Sequence, residues 1–229
     1  MKTMRGWAAI GMVAWVAALA GCGGPMSVQS FARQSQGHSI AVVSISINDF
    51  GGALQGWNQT RASDLMASRA AAMVGLAEQQ LATRFTVVPA GAFVNNPAYQ
   101  QVPRGLHEVA VPVIDGAMMP VFGQSRGELV SCQVTREQAQ ALAAAAGTDF
   151  VAIIYTEWGV ATGGFIPTSK ALSKTVMSIY DATGMRVAFQ RTDARGERTL
   201  GAFGHVVVDE NSIDEWVGAY ASGLATMLR

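Results

Sequence analysis

The chain has 229 residues, half of them hydrophobic and 14% charged, with 16 basic against 16 acidic side chains. A disordered chain needs lower hydrophobicity and more net charge, and a nucleic-acid surface needs an excess of Lys and Arg. Two cysteines suffice neither for a disulfide-dense mini-domain nor for a four-cysteine zinc site, so one globular domain with extensions remains.

The N-terminus opens with Lys2 and Arg5, runs through an uncharged, largely apolar stretch, and reaches Leu19-Ala20-Gly21-Cys22. A short basic region, an apolar run and small residues are the layout of a secretory signal peptide. The apolar run over residues 6–21 is short of the roughly 20 residues a membrane-spanning helix needs. Leu19, Ala20, Gly21 and Cys22 resemble the lipobox of bacterial lipoproteins. That resemblance implies cleavage before Cys22, acylation of its thiol, and residues 1–21 as a lipoprotein signal peptide. It also implies anchoring in a lipid bilayer through acylated Cys22. Gly23, in place of an inner-membrane-retaining Asp, implies the outer membrane, facing the periplasm. Without residues 1–21 the chain carries 14 basic and 16 acidic residues. Residues 22–38 are rich in Gly, Ser and Gln and are expected to form a flexible tether.

A single domain is then expected over 39–229. Residues 39–48 are β-branched and read as a buried strand. Across 59–84, Ala62, Met66, Ala70, Met73, Ala77 and Leu81 recur at spacings of three and four, the apolar stripe of a helix. Residues 85–88 form a short strand that Pro89 ends. Residues 89–127, with Pro97, Pro103, Pro112 and Pro120, read as an insertion of loops and short strands. Residues 128–134 read as a strand holding Cys132, which is expected to be a buried, unreactive thiol. Thr135-Arg136-Glu137-Gln138 is a capping box opening an alanine-rich helix that Gly147 stops.

Residues 150–155 form a near-continuous apolar run, the mark of a central strand, extending toward Val160. Residues 171–181 and 185–191 are strands joined by Ala182-Thr183-Gly184, a hairpin turn. Residues 192–204 are polar and read as an exposed loop. Ser212-Ile213-Asp214-Glu215 is a second candidate capping box, followed by a helix carrying Trp216, Tyr220, Leu224 and Met227. The fold class is α/β (α+β-like). It is a mixed sheet of about five strands packed by three helices on one face, in the order β-α-β-(insertion)-α-β-β-β-α.

This pattern resembles a group of bacterial envelope lipoproteins: the periplasmic domain of the curli secretion-channel lipoprotein, the lipoprotein activators of penicillin-binding proteins, and the N-terminal domain of the Tol-system propeller protein. The residues carrying the resemblance are Ile40-Ala41-Val42-Val43 and the helix after it, Gly147-Thr148-Asp149 before the apolar strand, and Asp181-Ala182-Thr183-Gly184. The resemblance implies an envelope compartment and a role that is not enzymatic. Two departures stand out: Pro112 and Pro120 interrupt any barrel-forming ladder in the insertion, and the tether is short.

No phosphate loop, serine-nucleophile elbow or zinc-protease helix occurs in the sequence. His38, His107 and His205 are the only histidines, and no metal or other cofactor is expected. Asp149 and Asp181 read as capping and turn residues. Glu157 and Trp158 close the most apolar strand, where a carboxylate beside an indole is a candidate ligand spot. His107, Arg195 and Arg198 are the other candidate contacts with a ligand or partner. The expected function is binding of another envelope protein as an assembly factor or regulator, through residues 89–127 and 192–204, with no nucleic-acid partner. Two alternatives stay open: an enzyme or small-ligand binder acting on envelope glycan, which requires Glu157, Trp158, His107 and His205 in one cleft, and a subunit of a secretion ring.

Overall fold

The computed structural model describes residues 24–49, 62–105, 109–202, 206 and 208–229. Expectations that fall on residues 1–23, including Leu19, Ala20, Gly21 and Cys22, and on His107 and His205, lie outside the described residues.

A five-stranded sheet organises the domain, in the order β2-β1-β5-β6-β7. Its strands are β1 (Ser39–Asp49), β2 (Thr86–Val88), β5 (Phe150–Gly163), β6 (Thr168–Asp181) and β7 (Arg186–Ala202). β1 pairs in parallel with both β2 and β5, whereas β5, β6 and β7 form an antiparallel meander. A smaller hairpin, β3 (Val113–Ile114) and β4 (Ala117–Met118), lies in the insertion. The helices are α1 (Val28–Gln34), α2 (Ala62–Leu81), α3 (Pro97–Gln100), α4 (Arg126–Val130), α5 (Arg136–Ala146) and α6 (Asp214–Leu228). The mixed sheet is as expected from the sequence, and the helices outnumber the three expected.

The helices divide between two faces. Trp158 of β5 stacks on Trp216 of α6, with ring centroids 6.4 Å apart. The neighbouring Glu157 points to the other side, toward Arg126 of α4, because successive side chains of a strand alternate. α1, α2 and α6 cover the Trp158 face, and α4, α5 and the insertion cover the Glu157 face. Cover on one face alone is therefore incorrect. β5 is buried without interruption from Val151 to Gly159, and a strand buried on both faces needs a layer on each.

The insertion is stitched to β1. A bulge between Val42 and Ser44 breaks the regular ladder. The Tyr99 hydroxyl donates to the Val43 carbonyl at 2.6 Å, and Ser44 Oγ donates to the Pro120 carbonyl. Further along, Ile47 and Ala110 exchange both backbone hydrogen bonds. Phe93, Val94, Tyr99, Val102, Met119 and Phe122 are all buried, so this segment is a cover layer.

Three further expectations are corrected. Residues 28–38 are not tether: Ser27 Oγ caps α1 by accepting from Ser30 N–H, and Val28, Phe31 and Ala32 are buried. The Phe31 ring meets Phe150 edge-on at 4.9 Å. Seven residues are too few to hold a helix alone, so packing holds it, and the polar composition concealed it. Residues 128–134 form no strand, because Ser125 Oγ accepts from Glu128 N–H and starts α4. Residues 192–202 are strand, not loop: Thr192, Ala194 and Gly196 lie under α6 while Arg191, Asp193, Arg195 and Glu197 face solvent.

The first capping box forms fully, with Thr135 and Gln138 bonded reciprocally and Gly147 at φ 66° ending α5. The second does not form. Ser212 Oγ accepts from Asp209 N–H, and the Glu215 carboxylate is taken by Arg198. Asp181 closes the β6–β7 turn by accepting from Thr183 N–H and Met185 N–H.

Truncating Phe31 to Ala separates a packed helix from a tether. We expect a loss of about 3 kcal/mol, the scale of a large-to-small core substitution, read as a lower urea midpoint. A tether at this position would leave the midpoint unchanged.

Candidate functional site

β1 ends at Asp49, whose partner on β5 is Trp158. β5, β6 and β7 continue past it as a three-stranded arm, at whose end Gly163 pairs with Thr168 and Thr168 with Ala202. Every site residue expected from this part of the chain lies on this extension or at its root.

At the root a row of polar groups crosses the sheet. Asn48, Glu157, Lys174 and Asp193 occupy successive cross-strand positions, so they share a face. The Tyr155 hydroxyl donates to Glu157 Oε1 at 2.7 Å, and Asn48 Nδ2 donates to the Tyr155 oxygen at 3.3 Å. Arg126 Nη2 approaches Glu157 Oε1 at 3.7 Å, and Arg191 Nε reaches Asp193 Oδ1 at 3.3 Å. The positive and negative side chains alternate along the surface. Burial, more than the hydrogen bond to Glu157, pushes the Tyr155 hydroxyl well above its usual range. It therefore stays protonated as a donor to the carboxylate, which is itself buried.

Glu157 and Trp158 do not form one spot. Trp158 is fully buried on the opposite face, against Trp216, whose Nε1 donates to the Gly159 carbonyl at 2.7 Å. Trp158 Nε1 meets no acceptor among the described residues. The expected carboxylate–indole site is thus overturned by strand alternation. Arg198 is a strut: its Nη2 donates to the Asn211 carbonyl and its Nε lies 3.6 Å from Glu215 Oε1, tying β7 to the start of α6. Arg195 is exposed opposite Leu172.

Beneath α6, the Thr156, Ser173 and Thr175 hydroxyls form a buried cluster with separations of 2.9–3.3 Å. Gly223 lets the helix approach here, since a Cβ on it would lie 2.9 Å from the Thr192 methyl. Asp149 accepts from Ser39 N–H and Ser39 Oγ, and those bonds hold its carboxyl below the usual range. It fixes the start of β1, the capping role expected of it. Among the described residues no three His, Cys, Asp or Glu side chains gather to hold a metal ion.

At the far end of the arm, the turn of residues 164–167 carries Phe165, completely exposed, and Ile166, 60% exposed. Gly164, at φ +100°, makes this turn possible. Sequence reasoning missed this feature, although Phe165-Ile166 between Gly163-Gly164 and Pro167 was its signal. A second apolar projection is the β3–β4 hairpin, with Val113 and Met118 both 53% exposed around Asp115-Gly116.

No family model and no curated protein matches this chain. Solved structures similar to it include the LpoB C-terminal domain from Salmonella enterica, at 15% identity, covering 73% of this chain and 94% of that one, with a TM-score of 0.33. The lipoprotein GNA1162 from Neisseria meningitidis matches at 15% identity over 82% of this chain and 99% of its own, with a TM-score of 0.35. A PelC dodecamer subunit from Paraburkholderia phytofirmans matches at 13% identity over 90% and 95%, with a TM-score of 0.33. Likenesses at these TM-scores are remote.

Two measurements follow from this geometry. Tyr155→Phe leaves a buried carboxylate without its hydroxyl donor, so we expect a loss of about 1.5–3 kcal/mol. Urea unfolding of Y155F, E157Q and the double variant measures it, and a strong coupling is expected. Cys132 is 2% exposed and burial pushes its thiol far above the usual range. Maleimide is therefore expected to label it only in denaturant.

Proposed function

We propose that this chain is a lipid-anchored envelope lipoprotein whose domain has no catalytic chemistry of its own and binds another envelope protein. The anchor reading rests on Leu19-Ala20-Gly21-Cys22 after a short apolar run, and the site of action is the periplasmic side of the outer membrane. The binding reading rests chiefly on one observation. Phe165 and Ile166 stand fully or largely in water at the end of a three-stranded arm. A soluble domain gains nothing from displaying a large aromatic and an isoleucine side by side, and such a display marks a contact site. An aromatic anchor at the centre of an interface carries much of its binding energy. The alternating charges of Arg126, Glu157, Lys174, Asp193 and Arg191 flank the arm and would set orientation more than affinity.

The internal bonding of the polar row supports a binding role over catalysis. Glu157 is held by Tyr155 and Arg126. A general acid or base needs a proton to exchange with substrate.

A photo-crosslinking residue in place of Phe165 or Ile166, in cells, is expected to capture a discrete protein adduct. The same residue at the surface position Gln140 is expected to capture none. F165E/I166E is expected to abolish co-purification of the captured protein with an unchanged melting temperature. Equal adducts at Gln140 and Phe165, or binding that survives F165E/I166E, would remove the arm as the contact. Mass spectrometry of the mature N-terminus tests the anchor: Cys22 is expected to be first and acylated.

A further inference from the structure

The folded start of the domain leaves little slack between lipid and sheet. Met26 N–H donates to the Val187 carbonyl, and Phe189 N–H donates to the Met26 carbonyl. This is a parallel bridge opposite Ala188 on the free edge of β7. Four residue steps separate Cys22 from Met26, a reach of at most about 14 Å. Because the bridge is parallel, the chain traced backward from Met26 to Gly24 runs toward lower numbers on β7, in the direction of the turn at 182–185. A chain anchored at Cys22, four residues before Met26, would therefore meet its lipid at the turn end of the sheet.

That end has a surface suited to a membrane. Met185 is 54% exposed and Met26 is 38% exposed, two flexible apolar side chains flanking the exit point. Arg136 Nε is bonded to the Thr183 carbonyl, and Arg186 lies over the Phe189 ring at 5.2 Å, which places two guanidinium groups beside them. The carboxylates of Asp149 and Asp181 at the same end are engaged by Ser39 and by the turn's own N–H groups. Thioether side chains with flanking Arg suit the boundary between headgroups and acyl chains. The other end of the same strands is far away: Phe150 pairs with Asp181 at the turn end and Gly163 with Thr168 at the tip. Fourteen residues at about 3.3 Å each place the two ends roughly 45 Å apart.

We infer that the 182–185 end of the sheet rests on the phospholipid surface through Met26, Met185, Arg136 and Arg186, and that the Phe165–Ile166 tip is thereby held away from that bilayer. The inference rests on the lipid-anchor reading of Cys22. Orientation is a consequence of the short link together with this patch, and neither alone would set it.

The test uses the full-length lipidated protein in vesicles of phosphatidylethanolamine and phosphatidylglycerol, with Met185→Cys or Phe165→Cys carrying an environment-sensitive fluorophore and Cys132 left buried. Nitroxide placed at the headgroup and on shallow acyl positions is expected to quench the label at 185 several-fold more than the label at 165. A Gly-Ser insertion of about 20 residues between Gly24 and Pro25, with an r.m.s. reach of roughly 25 Å, is expected to reduce that difference while the protein still floats with the vesicles. Equal quenching at both positions, or stronger quenching at 165, overturns the orientation. A difference that M26E/R186E leaves unchanged overturns the patch. Failure of the wild-type protein to float removes the anchor reading itself, which separates that failure from an error of orientation.

Discussion

Nine consecutive residues of β5, Val151 to Gly159, have no solvent face, and most of the architecture answers that constraint. The strand has a neighbour on each edge, β1 in parallel and β6 antiparallel, which satisfies its backbone. Its side chains then require two apolar layers. The two-helix layer of α2 and α6 supplies one of them, extended by α1 against β7. The other comes from a segment with little regular structure, and it could not lie down on a strand without finding partners for its own peptide groups. It finds them at the β1 bulge and at Ile47. The bulge is thus where the ladder yields a carbonyl to the layer above.

The two covers end at different places. α6 follows the sheet outward, and its closeness there depends on Gly223 and Gly196, both positions where a Cβ would collide with the opposing element. The other cover stops near Arg126, leaving Lys170, Leu172 and Lys174 half-exposed on that side of β6. Glu157 sits at this boundary. A carboxylate withdrawn from water costs several kcal/mol, and here Tyr155 and Arg126 offset much of that cost. The polar row is where the core stops and the surface begins.

The parts of this design that depend on local chemistry were legible in the sequence. Thr135 with Gln138, Gly147 and Asp181 act within a few residues of themselves, and each did what its residue type favours. β5 was legible because an uninterrupted apolar run has few other solutions. The parts that depend on distant partners were hidden. α1 has a capping serine but no helical composition, and packing against Phe150, Phe85, α6 and β7 holds it. β7 beyond Arg191 is polar on its outer side and small on its inner side, which reads as loop until α6 is known to lie against it. Ser212 and Glu215 had the spacing of a cap, yet Asp209 and Arg198 competed for them. Two signals were local and passed over: Ser125 three residues before Glu128, and Asp115-Gly116, whose positive φ values of 50° and 79° form a tight hairpin turn. For the candidate site, proximity in sequence misled. Glu157 and Trp158 are adjacent in the chain and on opposite sides of the sheet.

Folding α1 onto the sheet also changes what the proposed anchor at Cys22 would do. A flexible tether over residues 22–38 would have an r.m.s. reach of roughly 23 Å and would leave the domain free to rotate. With the chain already bonded at Met26, that freedom would fall to a few residues, and contacts within the domain would set the orientation. With the proposed anchor, a partner would be met at a set height above the bilayer, because the arm is a paired strand segment of fixed length. A rigid presentation of this kind raises the effective concentration of the tip for a partner in the right layer and lowers it for one at any other depth. Selectivity for a partner's position would arise in this way from sheet geometry, with few side chains devoted to it, in keeping with a chain that is only 14% charged.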